Sequence, residues 1–151
     1  FMALLFVALE RQRRARGALA NSEARFRGAF EQAAIGMAHT AMDNRFLQVN
    51  QRFCDMLGYT REELVEKVAT DFTHPEDRGS ATIDRQRLLA GEADSLSAEK
   101  RYLRKDGSVL WVNRTVSLVR DGEGQPLYFL RIIEDITERK RLENELRELA
   151  T

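Results

Sequence analysis

The chain has 151 residues, and its 24 lysine and arginine residues balance its 24 aspartate and glutamate residues. A net charge of zero argues against a general nucleic-acid binder, which carries an excess of basic residues on at least one face. A hydrophobic content of 43% is sufficient for the core of about one domain, with additional helices at the ends.

The chain contains few residues of the types that build catalytic or metal sites. Cys54 is the only cysteine, which excludes an internal disulfide and a cysteine-rich metal site. It lies between Phe53 and Met56 in a helical pattern, which favours a small buried apolar residue over a reactive thiol. Neither of the two histidines, His39 and His74, lies within a helical turn of another metal-ligand cluster. The sequence therefore predicts no catalytic residue and no metal site.

The first nine residues, 1–9, are wholly apolar, and an arginine cluster follows them: Arg11, Arg13, Arg14 and Arg16. Nine helical residues span roughly 13 Å, less than half of a bilayer's hydrocarbon core. Basic residues after an apolar segment are typical of the cytoplasmic side of a membrane helix. We expect the inner end of a longer transmembrane helix in the inner membrane, with the remainder on the cytoplasmic side. A dimer-forming helix and a signal-peptide remnant are the alternatives.

Helical spacing continues beyond this segment, in the stripe Leu19, Phe26, Phe30 and Ala33. The first helix is expected to end near Gly17, and Ser22 to Ala33 to form a second helix or a continuation. Two short strands are predicted next, over 35–41 and 46–50, with a turn at Asp43-Asn44.

The middle of the chain carries helix-start and helix-end signals. Asn50 is a candidate N-cap for a helix that ends at Gly58, and Thr60 with Glu63 forms a capping-box pattern. Pro75 suits the first turn of another short helix. A longer helix is predicted from about residue 79 to residue 89.

The last third of the chain is predicted to form strands. Residues 96–104 and 109–119 flank an Asp-Gly turn at Asp106-Gly107, and a further strand covers 128–133. Asp135 then resembles an N-cap, with Glu138 three residues later as its capping-box partner. A buried strand is thus expected to lead directly into an outgoing helix. Strands at both ends of the domain with helices between them predict an α+β fold on one antiparallel sheet.

Four motifs occur in this order: Phe46–Asn50 with Phe53–Leu64, His74-Pro-Glu-Asp77, Arg104-Lys-Asp-Gly107 with Trp111-Val112, and Asp135-Ile-Thr137 with Glu138-Arg-Lys140. Their order and spacing resemble a PAS domain of the bacterial sensor type, from about residue 26 to residue 140. The resemblance implies a five-stranded antiparallel sheet in the order 2-1-5-4-3, with helices on one face. It also implies a pocket between helices and sheet, and an exit helix that signals as a parallel dimeric coiled coil.

Nine residues are candidates for the pocket: Met37, His39, Phe53, Leu57, Phe72, Trp111, Asn113, Tyr128 and Leu130. His39 is either a packed histidine or a pH-sensitive pocket group. Apart from His39, few polar groups are expected to point inward. We therefore expect the pocket to be filled by the domain's own side chains, with no tightly bound cofactor. A small ligand, or a flavin held near Trp111 and Asn113, is the alternative.

The resemblance also argues against two cofactors. Related haem sensors use a histidine on the long helix before the third strand, and residues 79–89 contain none. Photo-adduct flavin domains need an Asn-Cys-Arg-Phe-Leu sequence, which Asn50-Gln-Arg-Phe-Cys54 does not match. Both haem and an adduct-forming flavin are therefore disfavoured.

Three segments follow from these patterns: a membrane-helix end with a juxtamembrane helix (1–21), the PAS domain with a cap helix (22–137) and a coiled-coil linker (138–151). The linker has a seam at Arg139, Leu142, Leu146 and Leu149. Residues 143–151 resemble the linker that precedes GGDEF diguanylate cyclase domains, and histidine-kinase linkers are the competitor. We predict a homodimeric sensor or relay domain that signals through Asp135, Ile136 and Thr137 to an effector in the same protein.

Overall fold

The computed structural model describes residues 2–150, which form two units. The first is a single helix, α1 (Met2–Gln32), and the second begins at Ala33. The helix continues through Gly17 and through the boundary predicted at residues 21 and 22. Phe1 and Thr151, the outer ends of the predicted membrane helix and linker, lie outside the described residues. Within residues 2–150, no helix combines the length and apolar content that a membrane crossing requires.

The second unit is built on one five-stranded antiparallel sheet in the order β2-β1-β5-β4-β3. This order confirms the predicted fold. The strands are β1 (Gly36–Thr40), β2 (Phe46–Val49), β3 (Ser95–Leu103), β4 (Val109–Arg120) and β5 (Pro126–Asp135). The helices are α2 (Gln51–Leu57), α3 (Arg61–Leu64), α4 (Arg78–Leu89) and α5 (Thr137–Ala150), with short 3-10 helices at Ala69–Asp71 and Pro75–Asp77.

The predicted helix boundaries in the middle of the chain are confirmed by their hydrogen bonds. Asn50 caps α2 by accepting from the backbone N–H of Phe53, and Gly58 ends that helix with a φ of 80°. Thr60 and Glu63 form the predicted capping box at the start of α3. These caps fix where α2 begins and ends and where α3 begins.

The core lies between α2, α3 and one face of the sheet, which we call the inner face. It combines helix side chains such as Phe53 and Leu57 with strand side chains such as Leu110, Val112 and Ile133. All five are at most 1% exposed. A smaller cluster joins Leu88 of α4 to Val116 and Phe129 at the other end of the inner face.

Candidate functional site

The nine predicted pocket residues are divided between the two faces of the sheet. Phe53, Leu57 and Phe72 lie in the core on the inner face, as expected. The other six belong to the opposite set of alternating strand positions: Met37, His39, Trp111, Asn113, Tyr128 and Leu130. Successive strand residues point to opposite faces, and the buried positions of β1, β4 and β5 are the neighbours of these six. The predicted position inside the pocket is therefore wrong for them; they occupy the outer face.

Strand β1 shows the physical reason. Its inner positions carry small residues, among them Gly36 and Ala38, while Met37 and His39 point outward. A Cβ atom on Gly36 would lie only 2.7 Å from Cγ1 of Ile133, so the inner face has no room for a large side chain there. His39 instead stacks on Tyr128 with 4.8 Å between ring centroids, and partial burial lowers its pKa.

Three basic side chains project from the inner face, where few polar groups were expected. Lys100 on β3, Arg114 on β4 and Arg131 on β5 are 5%, 2% and 8% exposed. Ala98 pairs with Arg114, and Val116 pairs with Arg131. Diagonal neighbours on adjacent antiparallel strands are about 7–8 Å apart, so the three cations form a diagonal row across the sheet. We call this row the cationic diagonal.

A sequence signal for the cationic diagonal exists. Arg114 occupies the same alternating position as Val112 and Val116, and Arg131 the same position as Phe129 and Ile133. The usual rule that charged residues face solvent assigns these strands the wrong orientation. Tyr128, Leu130 and Ile132 at the other set of positions are apolar as well, so this signal indicates a buried arginine only once the orientation of the strand is known.

Among residues 2–150, the carboxylate that forms ion pairs with the cationic diagonal is that of Asp84. Oδ2 of Asp84, on α4, lies 2.7 Å from Nη2 of Arg114 and 3.9 Å from Nζ of Lys100. Arg131 donates hydrogen bonds to neutral oxygens, Oγ1 of Thr40 and Oδ1 of Asn44, each at 3.3 Å. Burial lowers the pKa of both Lys100 and Arg131. The site thus contains more positive than negative charge.

A cavity of about 40 Å³ lies between α4 and the inner face, beside this row. Its lining includes Asp84, Arg85, Arg114 and Arg131. The Arg85 guanidinium lies 5.4 Å from the centre of the Phe129 ring. Nε of Arg114 is buried and has no hydrogen-bond partner among the described residues. The cavity is therefore small, and the charged side chains at its lining are three arginines and one carboxylate.

The predicted transmission residues form a second site, where β5 becomes α5. Ile136 separates the two elements and is 6% exposed. Its N–H donates to the carbonyl of Trp111 at 2.9 Å, and the N–H of Trp111 donates to Oγ1 of Thr137 at 3.1 Å. Oδ1 of Asp135 accepts from the N–H of Thr137 at 2.9 Å. We call Asp135, Ile136 and Thr137 the exit joint; it is anchored to β4 as well as to β5.

The cap of α5 differs from the predicted one. Asp135 is the last residue of β5 and bonds the N–H two residues later, which is an Asx turn. The helix starts one residue later than a cap at Asp135 requires, and the Glu138 carboxylate pairs with Arg141. Beyond it, Arg139 bonds Glu99 at 2.6 Å, and Lys140 lies 4.9 Å from the centre of the Trp111 ring. The first turn of α5 is therefore bound to the outer face.

Comparison with known proteins identifies the fold family. The family model for the PAS fold matches residues 46–133, more than half of the chain. The chain belongs to the PAS family. This match runs from the start of β2 to Ile133 on β5, so it includes the cationic diagonal and stops just before the exit joint.

In the curated relatives, the region similar to this chain is a small part of a larger protein. The chain is 43% identical over 125 residues to the probable diguanylate cyclase DgcE of Escherichia coli (strain K12). It is 36% identical over 132 residues to the sensor histidine kinase TmoS of Ectopseudomonas mendocina. The two matches cover 83% and 87% of this chain but only 11% and 14% of those proteins.

Solved PAS domains share the fold. A PAS domain from Colwellia psychrerythraea has a TM-score of 0.70 at 20% identity and covers 80% of this chain and 98% of its own. The PAS domain of an HTR-like protein from Haloarcula marismortui has a TM-score of 0.66 at 29% identity, with 82% and 99% covered.

Proposed function

We propose that this PAS sensor domain relays a signal to an effector domain of the same protein through α5. The observation that carries the proposal is the exit joint, where a single residue connects β5 to α5. The joint is held by hydrogen bonds to Trp111 on β4, so a shift between the two strands acts on the base of the helix. A relay of this kind requires two states that differ in the position of α5 relative to the sheet.

The proposed effector is a diguanylate cyclase. Support comes from the similarity to the probable diguanylate cyclase DgcE and from residues 143–151, which resemble the linker before GGDEF domains. A histidine kinase is the alternative effector, supported by the similarity to the sensor histidine kinase TmoS.

The proposal places the domain at the cytoplasmic side of the inner membrane, as a homodimer. The apolar segment before the arginine cluster supports the membrane location. The exposed leucines on α5 support pairing with a second copy: Leu142, Leu146 and Leu149. In this arrangement α1 brings the chain from the membrane and α5 leads to the effector.

Substitutions in the exit joint test the relay in the full-length protein. Asp135→Ala and Thr137→Ala each remove a hydrogen bond that positions α5, each worth about 1 kcal/mol. A change of that size shifts a two-state equilibrium about fivefold, so effector activity should change by a similar factor while the domain stays folded. The measurement is effector turnover, with circular dichroism as the check on folding.

Thr115→Ala is the matched control. Its hydroxyl also lies on the sheet, where it forms a hydrogen bond of 2.8 Å with Oγ of Ser97. Thr115 lies four residues along β4 from Trp111, the residue to which the exit joint is bonded. The control should lose similar stability but keep its effector output. Unchanged output in the folded Asp135→Ala, Thr137→Ala double variant would overturn the relay.

A further inference from the structure

The cationic diagonal places three buried cations in a small domain, which is unusual. Each ion taken out of water loses several kcal/mol of solvation, which only a close counter-charge and hydrogen bonds offset. Asp84 supplies one negative charge for Lys100 and Arg114 together. Arg131 has no carboxylate partner within residues 2–150, and Arg85 at the cavity pairs with a carbonyl, that of Met42. At least one further negative charge would fit here.

The geometry of the cavity defines what can supply it. A single water needs roughly 10–15 Å³ of such space, so about 40 Å³ holds a group of about three heavy atoms. The surrounding arginines exclude a cation. A carboxylate has three heavy atoms, is planar and accepts paired N–H bonds from a guanidinium. A phosphate has five heavy atoms and is too bulky for the cavity as it stands.

We infer that this cavity binds a small carboxylate anion between Arg85, Arg114 and Arg131. The guanidinium groups of Arg85 and Arg131 are the donors, and Thr73 and Asn44 at the lining provide further polar contacts. The inference rests on the sensor function proposed above, to which it adds the chemical class of the ligand.

The position of Arg131 connects such a ligand with the output. Arg131 is the sixth of the ten residues of β5, and Ile136 of the exit joint follows it by five residues along the same segment. Arg85 lies on α4, on the other wall of the cavity. A carboxylate bound between them would relieve the repulsion among the arginines and draw α4 and β5 together. The ligand would then favour the state in which α4 and β5 are close, as signalling by a shift between two states requires.

Binding is tested on the whole chain with formate and acetate as probes. Thermal unfolding and calorimetry are measured at constant ionic strength with sodium chloride as the balancing salt, and formamide and acetamide serve as neutral isosteres. At least one carboxylate should raise Tm by several degrees at saturation, since a ligand of the folded state stabilises it by mass action. The amides should have no effect.

Variants locate the binding site. Arg131→Met should remove the carboxylate-dependent rise, and Arg85→Met should weaken binding about tenfold or more, because each deletes a charge-assisted hydrogen-bond donor. Arg87→Met is the matched control, since Arg87 lies on α4 but is exposed and pairs with Glu92. If Arg131→Met does not fold, Arg131→Lys and Arg85→Met decide the question.

A tightly held ligand could mask added probes, so the denatured protein is also analysed by mass spectrometry. A co-purified carboxylate that is present in the Arg87→Met protein and absent from Arg85→Met supports the inference. It is overturned if neither a co-purified carboxylate nor a carboxylate-specific rise in Tm is found, or if the rise persists in the folded Arg131 and Arg85 variants. The exit-joint variants would still change effector output in that case, so failure of the ligand and failure of the relay can be distinguished.

Discussion

Asn50 connects the beginning of the sheet with the beginning of α2. It is fully buried; its Oδ1 accepts from the N–H groups of Met37 and Phe53, both at 2.9 Å. Its Nδ2 donates to the carbonyl of Ile35 at 3.1 Å. One side chain therefore fixes both the N-cap of the helix and the position of β1 beside β2. The sequence indicated the cap but not the link to β1, because that link depends on the tertiary structure.

Replacing this amide should destabilise the domain strongly. Asn50→Ala removes three hydrogen bonds and leaves buried donors unsatisfied, so we expect a loss of about 2–4 kcal/mol in the free energy of unfolding. Urea unfolding followed by circular dichroism measures it. Asn144→Ala, at an exposed position of α5, should change stability by less than about 0.5 kcal/mol. Equal losses in the two variants would contradict the role assigned to Asn50.

The contacts of Asp77 show the physical role of the His-Pro-Glu-Asp motif. Its carboxylate accepts from the backbone N–H of Arg101 at 2.8 Å and from the guanidinium at 3.0 Å, which attaches the start of α4 to β3. Burial alone would raise the pKa of Asp77, but the hydrogen bonds from Arg101 outweigh it and lower the pKa. Glu76 also reaches Arg101, but its side chain is 72% exposed.

The lowered pKa gives this attachment a defined pH dependence. A carboxylate with a lowered pKa in the folded state contributes fully above its unfolded value of about 3.9, and loses the contribution as the pH falls through the folded value. Asp77→Asn should therefore lose about 1–3 kcal/mol at pH 7, and its difference from wild type should shrink at acidic pH. Urea unfolding across that range measures the difference. Glu76→Gln should cost under about 1 kcal/mol. If the difference in the free energy of unfolding between Asp77→Asn and the wild type did not depend on pH, the charge of Asp77 would be excluded as the cause of that difference.

At the scale of elements, the orientation of the strands was the part that sequence reasoning could not settle. Strands β4 and β5 carry apolar residues at both sets of alternating positions, so alternation alone does not say which set is buried. The arginines at 114 and 131 then favoured the wrong choice. In β1 the inner face is marked by small side chains rather than by hydrophobic ones, because the helices approach the strand closely.

This close approach makes Gly36 sensitive to a single methyl group. A Cβ there would meet Cγ1 of Ile133 at 2.7 Å and Sδ of Met56 at 3.1 Å, so Gly36→Ala should destabilise the domain by about 1–3 kcal/mol. Gly79→Ala is the control, since a Cβ there meets nothing within 4 Å; inside α4 it should be neutral or stabilising by up to about 1 kcal/mol. Thermal unfolding of both variants measures the contrast. The close packing of β1 would be refuted by similar Tm values for the two.

For the whole molecule, the sheet order followed from a resemblance carried by four motifs, and each motif has a local physical role in the structure. The Asp-Gly turn has Gly107 at a φ of 85°, Asp77 binds Arg101, and Asp135 and Thr137 fix the exit helix. Such roles depend on residues close in sequence or on fixed pairings, which a sequence pattern can encode. The cationic diagonal depends on three strands that lie side by side only in the folded sheet, and no single motif contains it.

The proposed pairing with a second copy depends on α5. The start of α5 is held on the sheet by the buried Ile136 that precedes it and by the ion pair of Lys140 with Glu99. The leucines farther along are exposed: Leu142 by 46%, Leu146 by 67% and Leu149 by 84%. Exposed leucines at spacings of four and three match the pattern of a coiled-coil seam, as the proposed dimer requires. Arg139, the predicted first residue of that seam, is instead paired with Glu99. Pairing with a second copy is therefore expected to start at Leu142.

Leu146→Glu tests this dimer. Burial of a leucine contributes about 1.5–3 kcal/mol, and the substitution removes it from both copies, so the dimer dissociation constant should rise tenfold or more. Sedimentation equilibrium over a range of protein concentrations measures the constant. Asn144→Glu adds the same charge two residues away, off the seam, and should leave the constant within about threefold of wild type. A wild-type chain that stays monomeric at all concentrations, or equal effects of the two variants, would rule out pairing through this face and leave α1 as the remaining candidate for the dimer contact.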